Sequence, residues 1–269
     1  MPHARINGFD MYYERHGNNG DPLVLVHGYT GDIHDWQHQV ETFAPTHRVL
    51  VLDHRGHGRS SAPEDRGSYT IAQMATDVEA LVEAVGFQRY HLVGHSMGGA
   101  VAQEIALRSA ASLLSLTLED TAPVFAFPRN ENIQRYIDQR MRMADEQGMP
   151  AVAEIPSLVP DPPHMPPGRR EFEKQRLSAM SPHGFIGAWQ ALQSWAGTRD
   201  RLDAIAAPTL AICGELDVPL VEPMKSLAAA IPACELVIIE QAAHSPQIER
   251  PHAFNEALSR HLQRNAART

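Results

Sequence analysis

Short apolar runs recur along the chain, and most of them show little alternation between hydrophobic and polar positions. Runs of this kind are typical of strands that are buried on both faces of a parallel sheet. Helix-like stretches at 71–85 and 100–108 lie between the runs, so strands and helices alternate and an α/β fold is predicted. The buried strands are predicted at 23–26, 48–52, 91–93, 113–118, 209–213 and 236–239.

The first part of the chain contains two further strand-like segments, at 4–6 and 11–15. Asn7 and Gly8 separate them, and this dipeptide is a frequent hairpin turn. We therefore predict an antiparallel hairpin at the edge of the sheet. With the six buried runs it makes a mostly parallel sheet of eight strands, flanked by helices.

The alternation of strands and helices stops after residue 118. Residues 121–195 show no strand pattern, but 132–144, 170–179 and 184–195 have helical character. Prolines are dense at 161–167, and prolines at that density exclude a helix or a central strand there. We predict a helical cap over 121–196, inserted after the sixth strand into a core formed by 1–120 and 197–269.

Composition and charge narrow the function classes. The 269 residues are 43% hydrophobic and carry a formal net charge of −9, which argues against a nucleic acid or an anionic membrane as partner. No stretch resembles a signal peptide or a membrane span, so a cytoplasmic location is expected. Cys213 and Cys234 fall near opposite ends of separate predicted strands, which predicts free thiols.

The segment HLVGHSMGGA, residues 91–100, lies where a predicted strand ends and a helix begins. Ser96 stands between Gly94 and Gly98, and so tight a turn needs small residues at both glycine positions. A hydroxyl held out at the carboxyl edge of the sheet is typical of a nucleophile. The N–H of Met97 falls at the helix N-terminus, where developing negative charge is favoured.

A serine nucleophile needs a base and a group that orients the base. Asp217 and His244 each follow a predicted strand end at the sheet edge of Ser96, and the order nucleophile, acid, base suits this architecture. Asp120 also follows a strand end and is the alternative acid. Asp53 is predicted to brace its loop by hydrogen bonds.

Five ordered motifs together resemble the α/β-hydrolase fold family over nearly the whole chain. The resemblance implies Ser96 as nucleophile, His244 as general base, Asp217 as the acid, and the backbone N–H groups of Met97 and Tyr29 as an oxyanion hole. The motifs are His27-Gly28-Tyr29, Asp53-His54-Arg55-Gly56-His57-Gly58-Arg59-Ser60, Gly94-His95-Ser96-Met97-Gly98-Gly99, Gly214-Glu215-Leu216-Asp217 and His244.

The function predicted from this resemblance is hydrolysis of small to medium carboxylic esters or lactones, without cofactor or metal, by a monomer or homodimer. Three alternatives stay open: a carbon–carbon bond hydrolase, a lyase of the same fold, and a ligand receptor that keeps the triad. Ser245 stands where the carbon–carbon hydrolases carry Trp. Ala100 and Val101 stand where the lyase carries an arginine.

Side chains of the predicted cap are candidates for substrate contacts. Aromatic residues fill either a pocket wall or the core, and cap arginines form either a solvated face or a site for a substrate carboxylate. The aromatic candidates are Trp189, Trp195, Phe125 and Phe127, and the arginines are Arg129, Arg135, Arg140 and Arg142. The pairs His34–His38 and His54–His57 invite a metal, yet they lack an H-E-x-x-H pattern.

Overall fold

The computed structural model describes residues 3–125, 131–157 and 160–267. Its strands form one eight-stranded sheet in the order β1-β2-β4-β3-β5-β6-β7-β8, which confirms the predicted sheet. The strands are β1 (His3–Ile6), β2 (Phe9–His16), β3 (Pro22–Val26), β4 (Arg48–Leu52), β5 (Tyr90–His95), β6 (Leu113–Glu119), β7 (Thr209–Gly214) and β8 (Cys234–Ile239).

The sheet is parallel from β4 to β8, and only the β1–β2 and β2–β4 pairs are antiparallel. Strand β3 lies between β4 and β5, so successive strands are added on opposite sides of it. Such a reversal opens a crevice at the carboxyl ends of the strands, where α/β proteins place their sites. Cys213 lies near the end of β7 and Cys234 at the start of β8, and both are free thiols as predicted.

Helices cover both faces of the sheet. They are α1 (Gln37–Phe43), α2 (Ile71–Ala84), α3 (Met97–Arg108), α4 (Glu131–Glu146), α5 (Met149–Ala153), α6 (Arg169–Ala179), α7 (Pro182–Ser194), α8 (Val218–Ala230), α9 (Pro246–Glu249) and α10 (Pro251–Arg264). Apolar residues of α2, α3 and α8 share one core cluster, while those of α1 and α10 share the other. No described helix is long and apolar enough to cross a bilayer.

Four helices, α4 to α7, lie between β6 and β7, in the segment where the sequence predicts a helical insertion. The sequence pattern indicates α4, α6 and α7 but misses the short α5. A small apolar cluster that includes Ala144, Met149, Val152 and Phe185 joins α4, α5 and α7. The division of the chain into a core and a cap stays a prediction.

Helix α7 packs closely against the loop that follows β4. Seven of its residues are buried, and Gly184 approaches Gly56 so closely that a Cβ on Gly184 would stand 2.2 Å from the Gly56 carbonyl oxygen. A Cβ on Gly187 would likewise stand 2.6 Å from the ring of Tyr69. The contact therefore depends on glycine at these positions, because there is no room for a side chain.

Ion pairs connect helix α6 to the turn that precedes α1. The helix has no buried residue, but Arg169 and Arg176 both bind the Asp35 carboxylate, and Arg176 also lies 3.3 Å from Asp32. Asp32 and Asp35 belong to the short turn that precedes α1, where Asp32 also caps the turn. The Asp35 side chain is only 6% exposed and that of Arg176 13%, so these ion pairs are largely buried.

Candidate active site

Ser96 sits at the sharp turn between β5 and α3 with φ of 53° and ψ of −114°. Positive φ is costly for a residue with a Cβ, and it persists where the surrounding structure enforces it. Here a Cβ on Gly94 would meet the Gly98 carbonyl oxygen at 2.3 Å, and a Cβ on Gly98 would meet that of Val26 at 2.3 Å. The small residues predicted at both positions are thus required by close backbone contacts.

Three side chains from three separate loops meet at this turn. The Oγ of Ser96 lies 3.1 Å from Nε2 of His244, and Nδ1 of His244 lies 2.6 Å from Oδ2 of Asp217. Ser96 and Asp217 are each 8% exposed, whereas the His244 side chain is 49% exposed. The imidazole is therefore held between a buried hydroxyl and a buried carboxylate while one side of it faces open space.

Two residues that the sequence analysis did not place in the site hold the loop of His244. Nε2 of His95 lies 2.7 Å from the His244 carbonyl oxygen. The Glu249 carboxylate accepts hydrogen bonds from the N–H of Ala243 at 2.6 Å and of Ser245 at 3.0 Å, on either side of His244. Burial, and to a lesser degree the charge of His244, lowers the pKa of His95 to about 3, so this imidazole is neutral and donates from Nε2.

Asp120 lies behind Asp217 and is fully buried. Its carboxylate accepts the N–H of Gly214 at 3.0 Å, and one oxygen lies within 4.8 Å of ligand atoms of Asp217 and His244. Burial and the neighbouring Asp217 charge raise the pKa of Asp120 well above its ordinary value. The carboxylate that bonds to His244 Nδ1 is that of Asp217, and Asp120 lies behind it.

The charge of His244 is coupled to these acids. Burial lowers the pKa of His244, but the Asp217 carboxylate raises it more, and the net effect is a pKa of about 9. Burial raises the pKa of Asp217, yet the charge and hydrogen bond of His244 lower it below its ordinary value. Asp217 and His244 thus form an ion pair at neutral pH in the resting protein.

The two backbone amides predicted to stabilise an oxyanion belong to residues next to Ser96 in the sequence or next to a residue close to it in space. Met97 is the first residue of α3, and Tyr29 follows Gly28, whose Cβ position would be only 3.0 Å from the Ser96 Cβ. Neither N–H donates to an acceptor among residues 3–125, 131–157 and 160–267. Both donors are therefore available to a ligand atom beside the Ser96 hydroxyl.

Asp53 braces its loop as predicted. Its two carboxylate oxygens accept the N–H groups of Ile33 and Arg59, each at 2.8 Å. The nearby imidazoles of His54 and His57 are fully buried, and burial lowers the pKa of both, that of His57 to about 3. These histidines are neutral groups in the packing of the loop.

Metal-ligating atoms of three side chains converge in one place in the described part of the chain, at Asp120, Asp217 and His244. Two of these atoms already share the hydrogen bond between Asp217 and His244. The histidine pairs considered from the sequence do not form such a cluster within the described ranges. The cluster is thus already engaged in hydrogen bonds, like the acid–base pair of a hydrolase.

Two cavities border His244. The first, of about 450 Å³, is lined by Tyr29, His95 and residues of α4 and α6. The second, of about 520 Å³, is more apolar and is lined by residues that include Met165, Leu216 and Ile248. Both volumes are in the range of sites for small molecules.

The predicted aromatic substrate contacts lie elsewhere. Trp195 donates from Nε1 to Glu104 Oε1 at 2.8 Å and packs 6.0 Å from the ring of Phe125. Trp189 lies 5.8 Å from the ring of Tyr29. Among the described residues, none of the three lines either cavity beside His244, so their role in binding stays a prediction. Phe127 and Arg129 lie outside the described residues.

Comparison with known proteins defines the family. Residues 21–145 match the model of the alpha/beta hydrolase fold family. A proposed carbamate hydrolase, RutD, from Variovorax paradoxus is 32% identical over 273 residues, covering 96% of this chain and 97% of the relative. The chain belongs to the alpha/beta hydrolase fold family.

Solved structures agree with this assignment. An enol-lactonase from Burkholderia xenovorans LB400 superimposes with a TM-score of 0.85 at 27% identity, covering 97% of this chain and all of that chain. A thermophilic esterase from Thermogutta terrifontis, solved with malate bound, gives 0.86 at 27% identity, with 99% and 100% covered. These relatives support a hydrolytic enzyme.

Proposed function

We propose that the protein hydrolyses small to medium carboxylic esters or lactones through an acyl-enzyme formed on Ser96. The observation that carries the proposal is the chain of two hydrogen bonds from Ser96 Oγ through His244 to Asp217. A hydroxyl becomes a useful nucleophile when a base can take its proton and an acid orients that base. Side chains at one edge of the sheet supply the hydroxyl, the base and the acid.

In the first half of the reaction, the Ser96 oxygen attacks the substrate carbonyl while Nε2 of neutral His244 takes the hydroxyl proton. The carbonyl oxygen becomes an oxyanion and accepts hydrogen bonds from the N–H groups of Met97 and Tyr29. The tetrahedral intermediate then collapses, the ester bond breaks, and the alcohol oxygen leaves with the proton from His244. The acyl group remains bonded to Ser96.

In the second half, a water molecule takes the place of the alcohol. His244 removes its proton, the hydroxide oxygen attacks the acyl carbon, and the same two amides stabilise the second oxyanion. Collapse releases the carboxylic acid and returns the proton to Ser96. Asp217 stays ionised throughout and stabilises the imidazolium that forms in each half.

Several relatives support this substrate class. Structures with 27% identity include an enol-lactonase and an esterase, and a further structure with 29% identity is of an N-acyl homoserine lactone degrading enzyme. Each substrate presents an acyl carbon joined to oxygen. A cytoplasmic location and a monomeric or homodimeric state complete the proposal.

The direct test is hydrolysis of a p-nitrophenyl ester by wild type and by Ser96→Ala. We expect a burst of p-nitrophenol followed by multiple turnovers in wild type, and an acyl adduct in the intact-protein mass spectrum. In Ser96→Ala we expect kcat to fall by at least about a thousandfold, because the nucleophile is lost. Ser259→Ala, on α10, is the matched control and should keep full activity.

Three results would contradict the proposal. Retained turnover in a folded Ser96→Ala protein would mean that another group attacks the ester. A single slow turnover in wild type would favour a receptor that retains the triad. An adduct on a residue other than Ser96 would assign the covalent step elsewhere.

A further inference from the structure

The first cavity beside His244 is lined by many charged side chains, and nearly all of them are engaged with one another. Asp35 binds Arg169 and Arg176, Glu173 binds Arg169 and Arg170, and Glu154 binds Lys174. Arg170 also pairs with Asp161. Each carboxylate of this wall therefore already has a cation, and four of its five cations already have a carboxylate.

Arg140, on α4, is the exception in the described part of the wall. Its Nη1 donates to the Tyr136 hydroxyl at 3.0 Å, and its guanidinium lies over the rings of Tyr136 and Phe185 at 5.3 and 5.4 Å. Its Nε is buried and has no hydrogen-bond partner among the described residues. A guanidinium that lacks both an ion pair and one of its hydrogen bonds is set up to bind an anion.

Arg140 is also close to the proposed catalytic groups. The Phe185 ring beneath it stacks on Tyr29 at 5.5 Å, and the Tyr29 hydroxyl donates to the Phe185 carbonyl oxygen at 2.9 Å. Tyr29 supplies one proposed oxyanion donor and lines the same cavity as Arg140 and His244. One aromatic ring therefore separates the guanidinium from the residue that would hold the reacting carbonyl.

The other cap arginines singled out in the sequence do not share this setting. Arg135 and Arg142 are exposed, and Arg135 bonds to the Glu131 carbonyl and to Asn132 on its own helix. Neither lines the cavity. The position of Arg140 is thus distinct from the solvated face of α4.

We propose that Arg140 binds a carboxylate carried by the substrate, so that the preferred esters or lactones are those that bear a free acid group. This inference rests on the proposed function, because it assumes that Ser96 attacks an acyl carbon in the same cavity. A planar carboxylate accepts two N–H groups of a guanidinium side by side. The substrate acid would meet the terminal Nη groups of Arg140 while its acyl carbon meets Ser96.

The test compares two p-nitrophenyl esters that differ by one charge: the mono-p-nitrophenyl ester of glutaric acid and the same compound with its free acid methylated. Wild type is expected to hydrolyse the acid ester with a kcat/KM at least about tenfold higher. In Arg140→Met, kcat/KM for the acid ester should fall about thirtyfold, the order expected for loss of a charge-assisted hydrogen bond. The methylated ester should change less than about threefold.

Two further variants serve as controls. Arg140→Lys keeps the charge without the planar fork and should restore part of the preference for the acid ester. Lys174→Met removes a cation of the same wall that has its own partner, Glu154, and should leave the ratio of the two esters unchanged. An equal loss on both esters in Arg140→Met, or the same change of ratio in Lys174→Met, would overturn the assignment.

If Arg140→Met does not fold, measurements on the wild-type protein alone can still test the inference. Wild type that hydrolyses the methylated ester as well as the acid ester, across the succinate, glutarate and adipate series, would refute the inference while leaving the proposed function intact. Hydrolysis of neither ester, or hydrolysis that survives Ser96→Ala, would instead refute the proposed function.

Discussion

Helices α6 and α7 both lie between β6 and β7, yet their main contacts with the rest of the protein differ in kind. Helix α7 buries seven residues and meets the β4 loop through glycine, whereas α6 buries none and depends on Arg169 and Arg176 around Asp35. Close packing depends weakly on pH and salt, and ion pairs depend on them more strongly. The contacts of α6 with the turn before α1 should therefore respond to pH and salt more strongly than the contacts of α7.

The difference matters because α6, and not α7, lines the cavities beside His244. Its residues shape the binding space, while Ser96, Asp217 and His244 stand on loops of the sheet. Function in this fold is set by sites placed on a common scaffold. We infer that substrate preference can change through α6 without disturbing the reacting groups.

Among the changes that test this comparison, Asp35→Asn is expected to have the largest effect. The change leaves Arg169 and Arg176 largely buried with one carboxylate fewer, and we expect the free energy of unfolding to fall by about 3 kcal/mol. Denaturant unfolding followed by circular dichroism measures it. Glu154→Gln is the matched control, because the Lys174–Glu154 pair is exposed, and its effect should stay within about 0.5 kcal/mol.

At low pH, the difference in the free energy of unfolding between wild type and Asp35→Asn should disappear. Burial raises the pKa of Asp35, but Arg176 and Arg169 lower it more, to well below its ordinary value. The stabilisation is therefore full above the ordinary carboxyl pKa and is lost as pH falls below about 4. If the difference in the free energy of unfolding between the two proteins stays constant down to pH 3, charge does not hold α6.

The second effect concerns the rate of ester hydrolysis. With the pKa of His244 raised to about 9, the proposed base is protonated at neutral pH, so kcat/KM should rise about fiftyfold between pH 7 and pH 9. The background rate of hydroxide attack is subtracted with Ser96→Ala. Asp35→Asn should keep the same midpoint, because the titrating group stands on the sheet. A midpoint near pH 6.5 would mean that Asp217 does not hold the proton on His244.

The smallest effect is expected from Gly184→Ala on α7. The new Cβ would meet the Gly56 carbonyl oxygen at 2.2 Å, and shifting the helix to avoid this contact should cost about 2 kcal/mol of stability. Ala188→Gly, also on α7, serves as the control, because it tests the loss of a helix-forming residue. Gly168→Ala is not a fair control, because Gly168 has positive φ. Unlike the Asp35 effect, which falls away below about pH 4, the loss in Gly184→Ala should stay constant between about pH 3 and pH 8. An unchanged melting temperature would show that α7 has room to move.

The parts predicted well from the sequence are those where local pattern decides structure. Continuous apolar runs indicated six strands of the sheet, and the Asn7-Gly8 dipeptide indicated the hairpin at its edge. The turn around Ser96 was predictable because its glycines are required by close contacts with residues only a few positions away or on the adjacent strand. Helix α5 was missed because it has only five residues, too few for a helical period to show.

Contacts between residues that are far apart in the sequence could not be predicted from the pattern of hydrophobic and polar positions. Glu249 follows His244 by five positions, but its bonds to Ala243 and Ser245 depend on how the loop folds back. The ion pairs of Asp35 join residues more than a hundred positions apart. Trp195 looked like a pocket residue by type, yet its indole bonds to Glu104 of α3. Only tertiary structure decides which of many charged or aromatic side chains meet.

The bond from His95 to the His244 carbonyl has a consequence for the redesign of this protein. The residue directly before the proposed nucleophile also holds the backbone that carries the proposed base, so a single imidazole acts as the spacer between two loops 149 positions apart. Grafting a foreign base loop onto this scaffold would therefore succeed only if the graft presents a carbonyl to position 95. Libraries that randomise the elbow should leave that histidine untouched.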